Sequence, residues 1–310
     1  MRQLIKEQNF GVEIELTGIT RCDAAKVIAA HYHSNSYFLG GSYRAYAATD
    51  SKGRTWKAMS DGSIQPERKV NGNRTIASDD FKCEVVTPVL QYEDIEDLQQ
   101  IVRELVAKGA LANKSCGIHI HVDGAKHTPE TLTRLLTFAI GRQDLFYEAL
   151  QNEDRARWCR KINRKLLSAL KHDTEKTRSS IERIWYSAVN DGYCGGIDHQ
   201  HYNSTRYHGI NLHAFFTKGT VEFRLFNGTT HAGKIKAYIQ FCLAMSAWAI
   251  ECESNDLYFK SCAKYTDEQK AALMKRVLTK RLGLAGPEFK TCRLHLTSVW
   301  KHDEEQSEVA

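Results

Sequence analysis

Residues 10–16 read FGVEIEL, and this alternation constrains the fold more than any other stretch of the chain. With a period of two, the apolar residues fall on one face and Glu13 and Glu15 on the other, which predicts a β-strand with one buried side and one acidic side. Two Glu side chains on one strand face lie about 7 Å apart at the backbone. They repel each other unless water or a cation lies between them. A solvated polar face is the simpler interpretation, and a divalent metal site is the alternative.

Three later segments repeat this alternation, and the strands predicted from them cover residues 81–88, 116–122 and 220–226. Their polar sides present Glu84 on the first, and His119 and His121 on the second. The third presents Glu222 and Arg224, which form either a surface ion pair of little value or a metal ligand beside a phosphate-binding arginine. Four such strands exceed chance patterning, so we expect one curved sheet to gather these side chains on its concave face.

The rest of the chain alternates hairpins with helices rather than repeating a βαβ unit. Helices are predicted over residues 23–33, 95–109, 128–150 and 231–251, and further strands over 43–49, 54–60 and 209–215. Asp23 and Thr128 are placed to cap two of the helices. A polar stretch over 66–80 predicts a loop, which in an enzyme could act as a lid. The pattern favours an α+β fold with a mostly antiparallel sheet and helices on its convex face.

We expect the chain to consist of a main domain and an extension. The main domain covers residues 1–254, and a basic, helical insertion occupies about 152–190 within it. Residues 255–310 read as a helical extension that ends in a charged tail over 301–305. The basic insertion is interpreted mainly as solvated helix surface, with a partner or phosphate site as the alternative.

The net charge, the cysteine content and the distribution of apolar residues argue against several classes of protein. The formal net charge of +6 is too small to argue for nucleic acid by itself. Nine cysteines without a CxxC pair argue against both a disulfide framework and a zinc knuckle, and they fit a reducing, cytoplasmic setting. No apolar signal core and no run of about 18 apolar residues occurs, so we expect a soluble protein without a membrane segment.

A family resemblance rests on six short motifs taken in order. They are FGVEIE, DGSI, CEVVTP, CGIHIHVDG, RYHGINLHAF and TVEFRLF. Together, over roughly residues 8–250, they resemble the amidoligase family, within the carboxylate–amine ligase superfamily of glutamine synthetase and γ-glutamylcysteine synthetase. No GxxxxGK[ST] motif is present, so a nucleotide would bind through metal and arginine rather than a P-loop.

The resemblance implies a role for each matched residue. The implied metal ligands are Glu13, Glu15, Glu84, His119 and Glu222. The implied nucleotide and phosphate contacts are His119, His121, Asn211 and Arg224. Catalytic roles fall to Arg224, Arg206 and Asp61, with the two arginines stabilising charge on the transferred phosphoryl group.

The implied activity is ATP-dependent formation of an amide bond through an acyl phosphate, with ATP and two or three Mg²⁺ ions as cofactors. The expected substrates are a small-molecule or peptide carboxylate and an amine, and the family suggests a glutamine amidotransferase-like partner protein. Two other classes stay open. One is a metal-dependent hydrolase that uses His119 and His121; the other is a non-enzymatic module that binds a partner through 152–190.

Overall fold

A computed structural model describes residues 1–152, 155, 157–189, 196–253 and 261–301. The helices in this part of the chain are α1 Arg2–Glu7, α2 Arg21–His31, α3 Ile95–Ala107, α4 Pro129–Leu150, α5 Lys165–His172, α6 Arg178–Ala188, α7 His213–Lys218, α8 Ala232–Glu251, α9 Asp267–Arg276 and α10 Lys290–Thr297. The strands are β1 Phe10–Leu16, β2 Ser36–Gly40, β3 Ala45–Thr49, β4 Thr55–Met59, β5 Glu67–Val70, β6 Asn73–Ile76, β7 Cys83–Val86, β8 Gly117–Asp123, β9 Ile210–Asn211 and β10 Thr220–Asn227.

The chain divides into two compact units, each built from separate stretches of sequence. The amino-terminal unit comprises Asn9–Ile120 and Phe226–Tyr238. The carboxy-terminal unit comprises Met1–Gln8, His121–Leu225 and Ile239–Ala310. The boundaries fall inside β8, β10 and α8, so these three elements contribute residues to both units.

The amino-terminal unit is organised around a sheet. Its strand order is β2-β3-β4-β7-β1-β8, and the pairs β2/β3, β3/β4, β4/β7 and β7/β1 are antiparallel. Along β1 the predicted alternation is present, because Phe10, Val12, Ile14 and Leu16 are all buried on the apolar face. The predicted strands over 43–49, 54–60, 81–88 and 116–122 are confirmed within a few residues as β3, β4, β7 and β8.

Helices α2 and α3 pack against each other, and α2 also packs on β2, β3, β4 and β7. The amphipathic pattern of α3 places Leu98 and Ile101 in the core, as expected. The cap predicted for α2 is wrong. Thr20 is the N-cap, and its hydroxyl accepts a hydrogen bond from the backbone N–H of Asp23 at 3.1 Å, so Asp23 lies inside the first turn.

The loop predicted over 66–80 is a β-hairpin, formed by β5 and β6 as a separate two-stranded sheet. Its turn places Asn71 and Gly72 at positive φ, the conformation that a two-residue hairpin turn requires. Thr17, just after β1, holds the hairpin through two hydrogen bonds with the backbone of Glu67. The Asn-Gly pair was the sequence signal for this hairpin, and the polar composition concealed it.

Long helices dominate the carboxy-terminal unit. Helix α4 begins at the predicted cap, where the Thr128 hydroxyl accepts from the backbone N–H of Thr131 at 3.3 Å. Phe138 on α4 packs on Trp248 of α8, with ring centroids 4.3 Å apart. Glu148 of α4 accepts hydrogen bonds from Lys270 and Trp300, which ties the later helices to α4.

One predicted strand of this unit is largely wrong. Only Ile210–Asn211 of residues 209–215 is a strand, and α7 begins at His213. The charged stretch 152–190 contains α5 and α6. Residues 190–195, residues 255–260 of the predicted extension and residues 302–305 within its charged tail lie outside the described residues.

These features confirm the broad class, an α+β protein with a mostly antiparallel sheet. A glutamine-synthetase-like curvature, helices on a convex face and a domain boundary at residue 254 stay predictions. None of the helices in the described part of the chain combines the length and the apolar character needed to cross a membrane.

Candidate metal centre

The register of β1 and β7 places two buried carboxylates opposite each other. Glu15 pairs with Glu84 across the antiparallel ladder, and the two residues are 3% and 8% exposed. Like charges directly opposite on paired strands are destabilising. Burial adds to this cost because a charged group loses its hydration. The pair therefore needs a compensating positive charge at this point of the sheet.

His119 on β8 contacts the same strand, β1, from its other side. Its Nδ1 lies 3.0 Å from Glu13 Oε2, and its Nε2 lies 3.7 Å from Glu15 Oε1. An ionised carboxylate only accepts hydrogen bonds, so Nδ1 carries the proton that it donates to Glu13. In a neutral imidazole, Nε2 then has its lone pair facing Glu15. A carboxylate that fixes one ring nitrogen of a histidine while the other faces a cation is a common arrangement in metal sites.

Asp61 joins the cluster from the segment after β4. The last residue of β4, Met59, pairs with Glu84, and Asp61 follows two residues later. Asp61 Oδ1 accepts hydrogen bonds from the backbone N–H and the hydroxyl of Ser63, at 2.6 and 2.5 Å. Glu15 is held in a similar way, because its Oε2 accepts from the backbone N–H of Gly117 at 2.5 Å. Both carboxylates are thus oriented by the protein itself.

Ligand-capable atoms of these residues converge in two overlapping groups, Glu13–Glu84–His119 and Glu15–Asp61–Glu84, and within each group the atoms lie within 4.8 Å of one another. Glu84 belongs to both groups, so the arrangement offers two neighbouring cation positions with a shared carboxylate. Carboxylate oxygens with one imidazole suit a hard divalent cation such as Mg²⁺ or Mn²⁺. We expected a catalytic role for Asp61, and its carboxylate belongs to one of the two groups that could hold a metal ion.

The remaining predicted metal ligand, Glu222, lies in the carboxy-terminal unit. This buried carboxylate accepts hydrogen bonds from Arg224 Nη1 and Asn211 Nδ2, each at 2.6 Å. His121 Nε2 lies 3.7 Å from Glu222, and His121 Nδ1 is hydrogen-bonded to the Thr220 hydroxyl at 2.9 Å. The Glu222–Arg224 pair is therefore a buried ion pair rather than a surface one.

Arg206 lies apart from this ion pair, at the end of a short 3₁₀ helix, Ser204–Arg206. It lines a cavity of about 230 Å³ together with Asn211, His213 and Glu222. Sequence reasoning placed His213 on a strand; it is the first residue of α7, and its Nδ1 is hydrogen-bonded to the Tyr186 hydroxyl at 2.7 Å. Burial lowers the pKa of His213, and the positive charges of Arg206 and His199 lower it further. No local pattern in the sequence links Tyr186 to His213.

The described features define an α+β protein whose sheet carries a carboxylate-rich cluster of the kind that divalent-cation enzymes use. A family model described as "Putative amidoligase enzyme" matches residues 6–246. The chain belongs to the amidoligase family, which confirms the resemblance read from the six motifs.

The comparison with solved structures gives a weaker similarity. A bifunctional glutathione synthetase from Pasteurella multocida matches with a TM-score of 0.42 and 16% sequence identity. The match covers 96% of this chain and 47% of that protein, so the chain spans about half the length of that synthetase. Among curated proteins, none matches this sequence.

Proposed function

We propose that the protein is an ATP-dependent carboxylate–amine ligase that forms an amide bond through an acyl phosphate. The observation that carries the proposal is the convergence of Glu13, Glu15, Asp61, Glu84 and His119 in a member of the amidoligase family. Carboxylates this close together, two of them buried (Glu15 and Glu84), repel one another, and a bound cation would offset that cost.

The reaction divides into two displacements. A carboxylate oxygen of the first substrate attacks the γ-phosphorus of ATP, which breaks the bond to ADP and leaves an acyl phosphate. The nitrogen of the amine then attacks the acyl carbon, phosphate leaves with the bonding electrons, and the nitrogen loses a proton. The first step brings two anions together, and bound Mg²⁺ would supply the charge neutralisation that it needs.

The chain's own residues have distinct parts in this scheme. Glu13, Glu15, Asp61, Glu84 and His119 would hold the cations. In the carboxy-terminal unit, Glu222 would be a metal ligand and Arg224 would bind phosphate oxygens. His121 and Asn211, which both lie beside Glu222, would orient its carboxylate or contact the nucleotide.

The test is an ADP-release screen with Mg²⁺-ATP against amino acids, polyamines and short peptides, followed by mass spectrometry of any adduct. Glu13→Gln and Glu222→Gln should each abolish ATP turnover while the protein stays folded. The matched control is Glu96→Gln, because Glu96 is an exposed residue of α3. Near-normal turnover in both site variants, or no ADP release with any pair of substrates, would contradict the proposal.

No observation favours the two other classes. His119 is hydrogen-bonded to Glu13, and His121 is hydrogen-bonded to Thr220. In the basic segment, Lys161 and Arg183 form ion pairs with exposed carboxylates, as solvated helices commonly do. A glutamine amidotransferase-like partner and a cytoplasmic location stay predictions.

A further inference from the structure

The cavity beside Arg206 is lined by the positively charged guanidinium of that residue, which has no role in the reaction proposed above. The Arg206 guanidinium donates one hydrogen bond to the carbonyl oxygen of His201, at 2.8 Å. It also lies over the rings of Tyr202 and Tyr207, at 5.8 and 5.7 Å from their centroids. Within residues 1–301 as far as the structure describes them, it forms no ion pair. Guanidinium groups offer five donors, so most of this fork is available to a ligand.

The charges around the cavity favour an anion. Glu222 is the acidic residue in its lining, and Arg224 already balances that charge through the buried ion pair. Lys218 lines the same cavity from the exposed end of α7. Arg206 therefore adds a positive charge that the lining itself does not neutralise.

A second, neutral donor lies in the same lining, at His213. The neighbouring Tyr186 is fully buried and its pKa is raised by burial, so its hydroxyl keeps its proton. When that hydroxyl donates to His213 Nδ1, the remaining proton of the ring is on Nε2. Nε2–H can then donate to an anionic oxygen. A guanidinium with one neutral donor matches the single charge of a carboxylate.

The size of the cavity limits the ligand. Its volume of about 230 Å³ lies below the roughly 300–1,000 Å³ of sites for drug-sized molecules. One amino acid, or the terminal residue of a peptide, fits a cavity of this size.

We infer that this cavity binds the free carboxylate of an amino acid or peptide, held by Arg206 and His213, and so selects an amine substrate that carries an acid group. This inference rests on the proposed ligase function for its role in turnover, and it replaces the phosphoryl-stabilising role expected for Arg206. The binding itself needs neither ATP nor catalysis.

Calorimetry without nucleotide tests the binding. The probes are L-alanine, L-glutamate and glycylglycine, each compared with L-alaninamide, which lacks the carboxylate. We expect the wild-type protein to bind at least one acid probe about tenfold or more tightly than the amide. Arg206→Gln should weaken that binding about 10- to 100-fold, since a charge-assisted hydrogen-bonding fork is lost. Arg164→Gln, at an exposed arginine of the same unit, is the matched control and should bind like the wild type.

His213→Gln provides a second variant, and we expect it to weaken acid binding by a smaller factor than Arg206→Gln. Circular dichroism checks that each variant is folded, and Arg206→Met, which also removes the charge, replaces Arg206→Gln if the latter is not. Equal binding of acid and amide, no binding of any acid probe, or unchanged binding by the folded Arg206 variant would overturn the inference. Tighter binding of inorganic phosphate than of any acid probe would overturn it too, in favour of a phosphoryl site.

A turnover measurement separates this inference from the proposed function. With an amine found by ADP release, Arg206→Gln should raise KM for the acid-bearing amine and leave KM for its amide unchanged. If the wild type releases no ADP with any substrate pair, the ligase proposal fails, while the calorimetric result still decides the binding site.

Discussion

The amino-terminal unit contains two groups of acidic side chains, and they differ in which groups lie next to the negative charge. Asp50 and Asp94 are each bonded to Arg54, at 2.7 Å, and Asp94 also accepts from Lys52 at 2.9 Å. Burial acts to raise the pKa of Asp94, but the hydrogen bonds from Arg54, Gln91 and Lys52 outweigh it and hold the pKa well below its usual range.

The acidic residues of the candidate metal centre are arranged differently. The carboxylate oxygens of Glu15, Asp61 and Glu84 converge on one another, and the donors to Glu15 and Asp61 are backbone N–H groups and the Ser63 hydroxyl. Carboxylates bonded to arginine and lysine act as structural ties. Carboxylates that converge on one another offer their oxygens to a cation. Proximity of acidic residues alone does not separate the two cases; the direction of their oxygens does.

The largest expected difference between the two groups is in catalysis. Glu84→Gln removes the carboxylate that both cation positions share, so ADP release should fall about 10³-fold, equivalent to about 4 kcal/mol of activation free energy. Asp94→Asn should leave ADP release within about twofold of the wild type at a temperature where it is folded. Steady-state kinetics on both variants checks this. Equal losses in the two variants would erase the distinction.

Stability should show the reverse order. Asp94→Asn breaks a buried, hydrogen-bonded ion pair, so the free energy of unfolding should fall by about 2–4 kcal/mol. Glu84→Gln removes repulsion and should leave the apo protein as stable as the wild type or more so. Urea denaturation monitored by circular dichroism measures both. A Glu84→Gln variant that loses as much stability as Asp94→Asn would mean that Glu84 is structural.

The dependence of stability on pH provides a third test. The contribution of Asp50 and Asp94 to stability should not change with pH above 4. His127, in the carboxy-terminal unit, has a pKa lowered from 6.5 to about 4, chiefly by burial. The unfolded chain binds this proton below pH 6.5 and the folded protein does not, so stability falls as the pH drops from about 6.5 to 4, by about 2 kcal/mol at pH 5.

Thermal unfolding at a series of pH values checks this effect. His127→Gln should flatten the loss between pH 7 and 5, whereas Asp94→Asn should shift the whole curve without changing its slope. A slope that His127→Gln leaves intact would assign the acid sensitivity to other groups.

The smallest expected effect is that of the metal alone. At about ten times its dissociation constant, Mg²⁺ should stabilise the wild type by about 1.4 kcal/mol, since it binds only the folded protein. Asp94→Asn should keep this increment and Glu84→Gln should lose it. Thermal unfolding with and without Mg²⁺, with EDTA as the control, measures the increment. Stabilisation of Glu84→Gln equal to that of the wild type would place the cation elsewhere.

The positions of several of these side chains could be predicted from the local sequence pattern. The period of two in β1 and β8 is sufficient to set Glu13, Glu15 and His119 opposite the buried face. The role of Arg54 could not be predicted. Its partner Asp94 lies 40 residues further along the chain, and nothing in the spacing connects them. The hairpin over β5 and β6 was missed for another reason, since exposed strands lack the apolar alternation that identifies a strand.

Local sequence patterns were enough to show which side of each strand is polar and where most helices and strands lie, and six motifs were enough to indicate the amidoligase family. Strand polarity is a short-range property, because side-chain direction along a strand depends only on the backbone of that strand. The folded structure was needed to show that Glu15 faces Glu84, that Asp61 joins them, and that Arg206 and His213 line one cavity. Those contacts depend on which strands pair and in what register, and pairing joins residues far apart in the chain.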